Sequence, residues 1–239
     1  MTEWFEEWFG EEYLHLYPHR DEAEAAAVVA LLARTPAWRP GGRVLDCCCG
    51  AGRHSQAFEA AGARVVGLDL SAPLLARARQ HTAAALVRAD LRALPIRPGS
   101  MDLTVSLFTS FGYFADDAEH AAALGGMAGT VRPGGWFAID FLHDAVVRGS
   151  LVADEVLRLA GATVRVTRQL LEEGRYVCKT IHLADGRRFQ ERVRLFSPDE
   201  LATLCAAAGL VVRHRYGDYH GAPLGPESPR VILLAERPA

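Results

Sequence analysis

The chain has 239 residues, half of them hydrophobic, and a formal net charge of −3 with acidic and basic residues interspersed. That length and apolar content suit one large α/β domain carrying a small insertion, without a second independent fold. The charge balance lacks the bulk attraction to polyanions on which nucleic-acid binding rests, so a nucleic-acid partner is not expected.

The N-terminal stretch MTEWFEEWFGEEY is acidic and aromatic, without the basic start and apolar run of a secretory signal. No stretch is long enough to cross a bilayer, and a cytoplasmic protein is expected. Two readings of WFEEWFGEEYLHLYPHR stand side by side: a segment that packs over the rest of the fold, or a flap over a ligand. Asp21 to Ala33 begins with acids in its first turn and is predicted to be a helix.

From Arg43 to Phe141 short apolar runs alternate with helical stretches, the pattern of βαβ units around a parallel sheet. Strands are predicted at 43–47, 64–68, 85–89, 101–107 and 135–141. Their lack of strict polar alternation suits strands covered on both faces. Helices are predicted over Ser55 to Ala61, after an N-cap at Ser71 with Pro73 in the first turn, and over Asp116 to Thr130. Beyond Phe141 come alternating runs at 162–171, 175–184 and 187–196, separated by Glu173-Gly174 and Asp185-Gly186. Two successive hairpin signals predict a three-stranded antiparallel insertion. Ser197-Pro198-Asp199-Glu200 opens a last helix, and strands at 210–215 and 231–236, joined by a loop, close the chain. The fold expected is a doubly wound, Rossmann-like α/β sheet of seven strands with the last antiparallel, plus a small antiparallel β insertion.

Three of the five cysteines, Cys47, Cys48 and Cys49, are consecutive. Neighbours on a strand point to opposite faces, so the three cannot converge on a metal, and their spacing suits no disulfide framework. Buried thiols and no metal are expected. The strand ending at Asp46, the small-residue turn CCCGAG and a helix starting near His54 form a site where backbone can approach a ligand, because Gly50 and Gly52 carry no Cβ. About one βαβ unit later the second strand ends at Asp69, whose carboxylate can accept from two vicinal ribose hydroxyls. A dinucleotide site needs GxGxxG, and here the third glycine is replaced by Ser55.

RVLDCCCGAGRHS resembles motif I of the class I S-adenosylmethionine (SAM)-dependent methyltransferases, of the form VLDxGCGxGxxS, with Cys48 at the family's first glycine. GARVVGLDLS and VRADLRALPI resemble the motifs after the second and third strands. MDLTVSLFTSFGYF and VRPGGWFAIDF resemble the fourth strand and the PGG-led fifth. The resemblance implies SAM as cofactor and S-adenosylhomocysteine as product. It places Asp69 and Leu70 at the ribose, Asp90 at the adenine amino group and Leu91 at the adenine edge. Cys48, Gly50, Gly52 and Arg53 would form the turn against the cofactor, with Leu107 and Phe108 on the fourth-strand side. Asp46 either organises the turn or reaches the amino group of the methionine moiety. In layout the chain also resembles sugar-amine and glycine N-methyltransferases with an aromatic flap, which implies closure by Tyr13, Tyr17 and Arg20. Arg20 would pair with the methionine carboxylate or lie in solvent. On this reading residues 1–42 are flap and helix, 43–141 the cofactor core, 162–196 a lid and 197–239 the closing helix and strands of one domain.

Methyl transfer needs orientation and exclusion of water more than a dedicated catalytic group. The Asp/Asn-Pro-Pro-Tyr signature of adenine and glutamine N-methyltransferases does not follow Leu107, which disfavours that chemistry. His143 is read as a general base, or as a residue that caps a helix or faces solvent, and Tyr113 is the second candidate catalytic residue. Tyr113, His143, Tyr219 and His220 are expected near the acceptor, and the loop RYGDYHGAPLGPESPR is expected to wall its pocket. Arg187, Arg188, Arg192 and Arg194, with Glu191 among them, are read as a solvated face. The function expected is methylation of a small molecule at nitrogen or oxygen, with RNA or protein methylation and a non-catalytic SAM-binding module as alternatives. The motifs are silent on the acceptor's identity and on oligomeric state.

Overall fold

Three helices lead the chain, α1 (Trp4–Trp8), α2 (Glu11–Leu16) and α3 (Glu22–Ala33). The computed structural model describes residues 3–17, 22–159 and 161–239, so the flap residue Arg20 lies outside the described residues. The core follows as β1 (Arg43–Cys47), α4 (Arg53–Ala60), β2 (Arg64–Asp69), α5 (Ala72–Ala78), β3 (Ala85–Arg88), β4 (Met101–Ser106), α6 (Asp117–Thr130) and β5 (Val131–Leu142). Then come α7 (Asp144–Ser150), β6 (Asp154–Leu159), β7 (Ala162–Leu171), β8 (Tyr176–His182), β9 (Arg188–Arg194), α8 (Pro198–Ala207), β10 (Val211–Tyr216) and β11 (Arg230–Glu236).

Seven strands form one sheet in the order β10-β11-β5-β4-β1-β2-β3. β1 pairs in parallel with β2 and β4, whereas β11 runs antiparallel to β5 and β10. The order reverses between β1 and β4, and their carboxyl ends therefore open the crevice in which doubly wound sheets bind ligands. Helix starts are capped as the sequence indicates: Ser71 and Asp116 each accept an N–H of the first turn, and Ser197 forms a capping box with Glu200. Apolar side chains fill both faces of the sheet. Leu124, Met127 and Leu201 lie on the side of α6 and α8, and Val28, Leu32 and Phe58 on the side of α3 and α4.

Two departures from the sequence reading concern strands. The insertion has four strands, β6-β7-β8-β9, not three. β6 is an edge strand whose side chains alternate between exposed and half-buried, and its Val156 is 66% exposed. β5 begins four residues before the expected Gly135. The β4–β5 register jumps from Met101↔Val131 to Leu103↔Trp136, so Pro133-Gly134-Gly135 bulges out where proline has no N–H to give the ladder. Trp8 and Leu16 pack with Val164, Val166 and Ile181, joining the N-terminal helices to the second sheet. Among the described residues no helix is long and apolar enough to cross a membrane.

Candidate active site

A cleft of about 1480 Å³ opens at the carboxyl ends of β1, β2 and β4, covered by α1, α2 and the second sheet. Its floor is the β1–α4 turn, where three residues take positive φ: Cys48 (57°), Gly50 (56°) and Gly52 (87°). Cys48 thus adopts the left-handed conformation that a glycine takes without strain, at a cost on the order of 1–3 kcal/mol. Gly52 sits behind the turn. A Cβ there would lie 3.1 Å from the Ala78 Cβ and 3.2 Å from Thr82 Cγ2, so its glycine serves packing against α5. Gly50 lines the cleft, with no contact closer than Leu74 Cδ1 at 4.0 Å from its notional Cβ, leaving the backbone open to a ligand.

The two aspartates of the first strands differ in role. Asp69 lines the cleft, and its carboxylate accepts from Gly50 N–H and from Ser71 N–H, both at 2.8 Å. Burial raises its pKa, and those N–H bonds offset part of the rise. Each oxygen keeps a lone pair for a further donor. Asp46 does not line the cleft; it is buried and accepts from Ser55 Oγ at 2.7 Å. Burial pushes its carboxyl up to about 7. Asp90 lines the cleft beside Leu91 and is gripped by the Arg92 guanidinium, which holds its carboxyl below the ordinary range. Arg92 in turn donates to Glu119 at 3.0 Å and Glu3 at 3.3 Å, tying α1 to the Asp90 end of the cleft.

Cys48, Arg53 and Leu70 line the cleft on the turn side, and Leu107 and Phe108 line it on the β4 side. Tyr13 and Tyr17 also line it, in edge and tilted contacts with Trp8 and with each other. The N-terminal aromatic segment therefore both packs on the second sheet and walls the ligand space. Tyr113 lines the cleft as well, its hydroxyl donating to the Thr109 carbonyl at 2.6 Å and its ring 5.0 Å from Trp4.

The remaining expected acceptor residues are placed elsewhere. His143 is 5% exposed, lies outside the cleft lining and is the N-cap residue of α7, although its side chain makes no cap bond. Tyr219 turns inward, its hydroxyl donating to Asp140 Oδ2 at 2.7 Å. His220 is exposed, its carbonyl accepting from Arg34. The arginines of β9 divide: Arg188 is exposed, but Arg194 is buried and ion-paired with Asp117 and Glu200. Glu191 faces the cleft, paired with Lys179 and accepting from Trp8 Nε1 at 2.7 Å.

Among the cleft residues that the sequence reading did not single out are Lys179, Arg168 and Arg230. Each is paired with a carboxylate, of Glu191, Glu155 and Asp140 respectively. A guanidinium beside an apolar strand is a usable signal, because a buried charge requires a partner. Among the described residues no group of three or more His, Cys, Asp or Glu is placed to hold a metal.

The open backbone at Gly50, the paired yet unsaturated Asp69 and the half-buried Asp90 form a donor and acceptor set that fits an adenosine moiety. Residues 44–135 match a family described as a methyltransferase domain. Over 210 residues the chain is 31% identical to malonyl-[acyl-carrier protein] O-methyltransferase of Pseudescherichia vulneris, covering 87% of this chain and 79% of that protein. The chain belongs to the class I SAM-dependent methyltransferases. This methyltransferase is also 30% identical over 214 residues to dTDP-3-amino-3,4,6-trideoxy-alpha-D-glucopyranose N,N-dimethyltransferase of Streptomyces venezuelae, across 84% of this chain and 88% of that one. Among solved structures, the sugar N-methyltransferase KedS8 from Streptoalloteichus sp ATCC 53650 superposes with a TM-score of 0.69 at 27% identity, over 96% and 94% of the two chains. The CcbJ methyltransferase from Streptomyces caelestis shares the fold across 97% of this methyltransferase and 98% of its own chain, with a TM-score of 0.81 at 19% identity.

Proposed function

We propose that this methyltransferase transfers the methyl group of SAM to a nitrogen or oxygen of a small-molecule acceptor and releases S-adenosylhomocysteine. The observation that carries the acceptor class is the roof of the cleft. Aromatic side chains of α1 and α2 cover it together with second-sheet cations paired to carboxylates, an enclosed space that suits a small molecule better than a polyanion. O- and N-methyltransferases among the relatives support the same class.

Asp69 is assigned the ribose hydroxyls, Asp90 and Leu91 the adenine, and Gly50 with Cys48 and Arg53 the turn against the methionine moiety. Leu70, Leu107 and Phe108 close the apolar sides. Asp46 organises the turn through Ser55 and Gly52 supports it from behind. Tyr13 and Tyr17 form the flap, to which Arg20 contributes its charge toward the methionine carboxylate. Bound SAM supplies a methyl group on a sulfonium, whose own positive charge makes the methyl electrophilic without a metal. The chain's part is to orient the acceptor in line and to keep water out, for which Trp4, Phe9 and Tyr113 provide apolar cover, with effective molarities on the order of 10⁵ M or more in favourable cases. No proton transfer is assigned to His143, Tyr219 or His220, given their placement off the cleft lining. Residues 1–42 and 162–196 cover the core of a single domain. The five unpaired cysteines suit a reducing cytoplasm.

Calorimetric titration with S-adenosylhomocysteine tests the site: Asp69→Ala is expected to weaken binding on the order of tenfold or more by removing a charged hydrogen-bond acceptor. Release of S-adenosylhomocysteine from SAM, assayed against pools of small amines and alcohols and against RNA and protein extracts, tests the acceptor class. Turnover confined to RNA or protein, or in no pool, would overturn the proposal.

A further inference from the structure

The loop leaving β4 carries two consecutive non-glycine residues in the left-handed region, Phe108 (φ 56°) and Thr109 (φ 61°), and both line the cleft. Such a pair persists only where surrounding groups over-determine it. Here those groups converge on one residue of β5. Asp140 is 1% exposed; its Oδ2 accepts from Phe108 N–H at 2.9 Å and its carbonyl accepts from Thr109 N–H at 2.9 Å. Its Oδ1 accepts from Arg230 Nε at 2.7 Å, and Arg230 Nη2 donates onward to Thr109 Oγ1 at 3.1 Å. Tyr219 completes the set through its hydroxyl on Asp140 Oδ2. The Phe108 ring lies under the guanidinium of Arg53, 4.3 Å from its centroid, and 5.6 Å from that of Arg230, so the loop is tied to the β1–α4 turn as well.

We propose that Asp140 and Arg230 are positioning residues, a buried ion pair that holds Phe108 and Thr109 in left-handed conformations and so sets the cleft wall facing the cofactor turn. The proposal rests on the reading of this cleft as the SAM site. The pair is not needed to join β5 to β11, because those strands are in continuous register from Arg230↔Leu142 to Glu236↔Trp136. A hydrophobic pair at these positions would serve cohesion equally well. Only the charged pair presents a carboxylate acceptor to the Phe108 amide and a donor to the Thr109 hydroxyl.

The test uses the full chain, S-adenosylhomocysteine as probe, calorimetry for affinity, thermal melting for stability, and amide hydrogen exchange at Phe108 and Thr109. In Asp140→Leu/Arg230→Met no buried charge is orphaned. The Phe108 amide, whose acceptor is removed, is expected to lose protection and the dissociation constant to rise about tenfold, as follows if the competent loop falls to about a tenth of the population. Adding Thr109→Gly, whose backbone takes the left-handed region without strain, is expected to recover most of that affinity. Thr109→Val removes only the acceptor for Arg230 and keeps the side-chain shape. It is expected to weaken binding about threefold with an unchanged melting temperature, and it decides the matter if the double variant does not fold. A double variant with the Phe108 amide still protected and affinity within twofold of wild type would overturn the proposal, as would Thr109→Val with wild-type affinity. If the wild-type chain itself does not bind the probe, the functional reading fails instead.

Discussion

Replacing Asp46 with Asn should change how stability depends on pH. The Asp46 carboxyl is buried and accepts from the Ser55 hydroxyl, and burial lifts it from 3.8 to about 7. Between those two values the unfolded chain binds fewer protons at this site than the folded one, so stability falls as pH rises from about 4 to about 7 and levels off above. At 1.36 kcal/mol for each unit, the full effect is about 4 kcal/mol, of which about 3 kcal/mol falls between pH 5 and pH 8. Asn keeps an oxygen for Ser55 and cannot ionise; its buried NH2 adds a cost of about 1–3 kcal/mol that does not vary with pH. Urea unfolding followed by circular dichroism on both proteins at the two pH values isolates the site, since the other titrating groups are common to both. The wild type should lose about 3 kcal/mol relative to Asp46→Asn on going from pH 5 to pH 8. A stability difference that stays constant across that range would refute a carboxyl titrating near neutrality in the folded chain.

Gly52→Ala places a Cβ at 3.1–3.2 Å from Ala78 and Thr82 on a backbone with φ 87°, and should lower stability by about 1–3 kcal/mol, read as a fall in melting temperature. Trp8→Phe removes the donor to Glu191 from a fully buried ring joining α1 to the second sheet. A loss of about 1–3 kcal/mol in chemical denaturation is expected. Ser197→Ala breaks the capping box of α8 and should cost about 1 kcal/mol by the same measurement.

The parts of the fold that were legible are those where local chemistry and burial agree. β1 and β7 fall where the sequence places them, and the caps at Ser71, Asp116 and Ser197 form as their side chains allow. β6 was not legible because an edge strand has a partner on one side only, and DEVLRL reads equally well as a polar connection. The start of β5 was hidden by Pro133-Gly134-Gly135, a turn signal that the sheet tolerates as a bulge. In the site, the wall formed by Gly50, Asp69 and Asp90 could be read because these groups lie at strand ends and on the short turns that follow. The opposite wall could not, because it is assembled from α1, the β4 loop and the second sheet, which local patterns do not bring together.

Two buried aspartates show how one kind of sequence conflict resolves in two ways. Asp46 and Asp140 each interrupt a run of apolar residues on a central strand, and each is 1% exposed. Asp46 has a hydroxyl for company and relieves the conflict by holding its proton more tightly. Asp140 has a guanidinium at 2.7 Å, brought from 90 residues away by the antiparallel pairing of β5 with β11. Its remaining acceptor capacity is therefore available to the Phe108 amide and the Tyr219 hydroxyl. The first arrangement braces the start of α4 behind the β1–α4 turn, and the second braces the loop after β4. Exchanging the solutions would fail at both sites, since a neutral residue at 140 leaves Arg230 buried without its counter-charge, and a guanidinium has no room beside Ser55, which is itself fully buried.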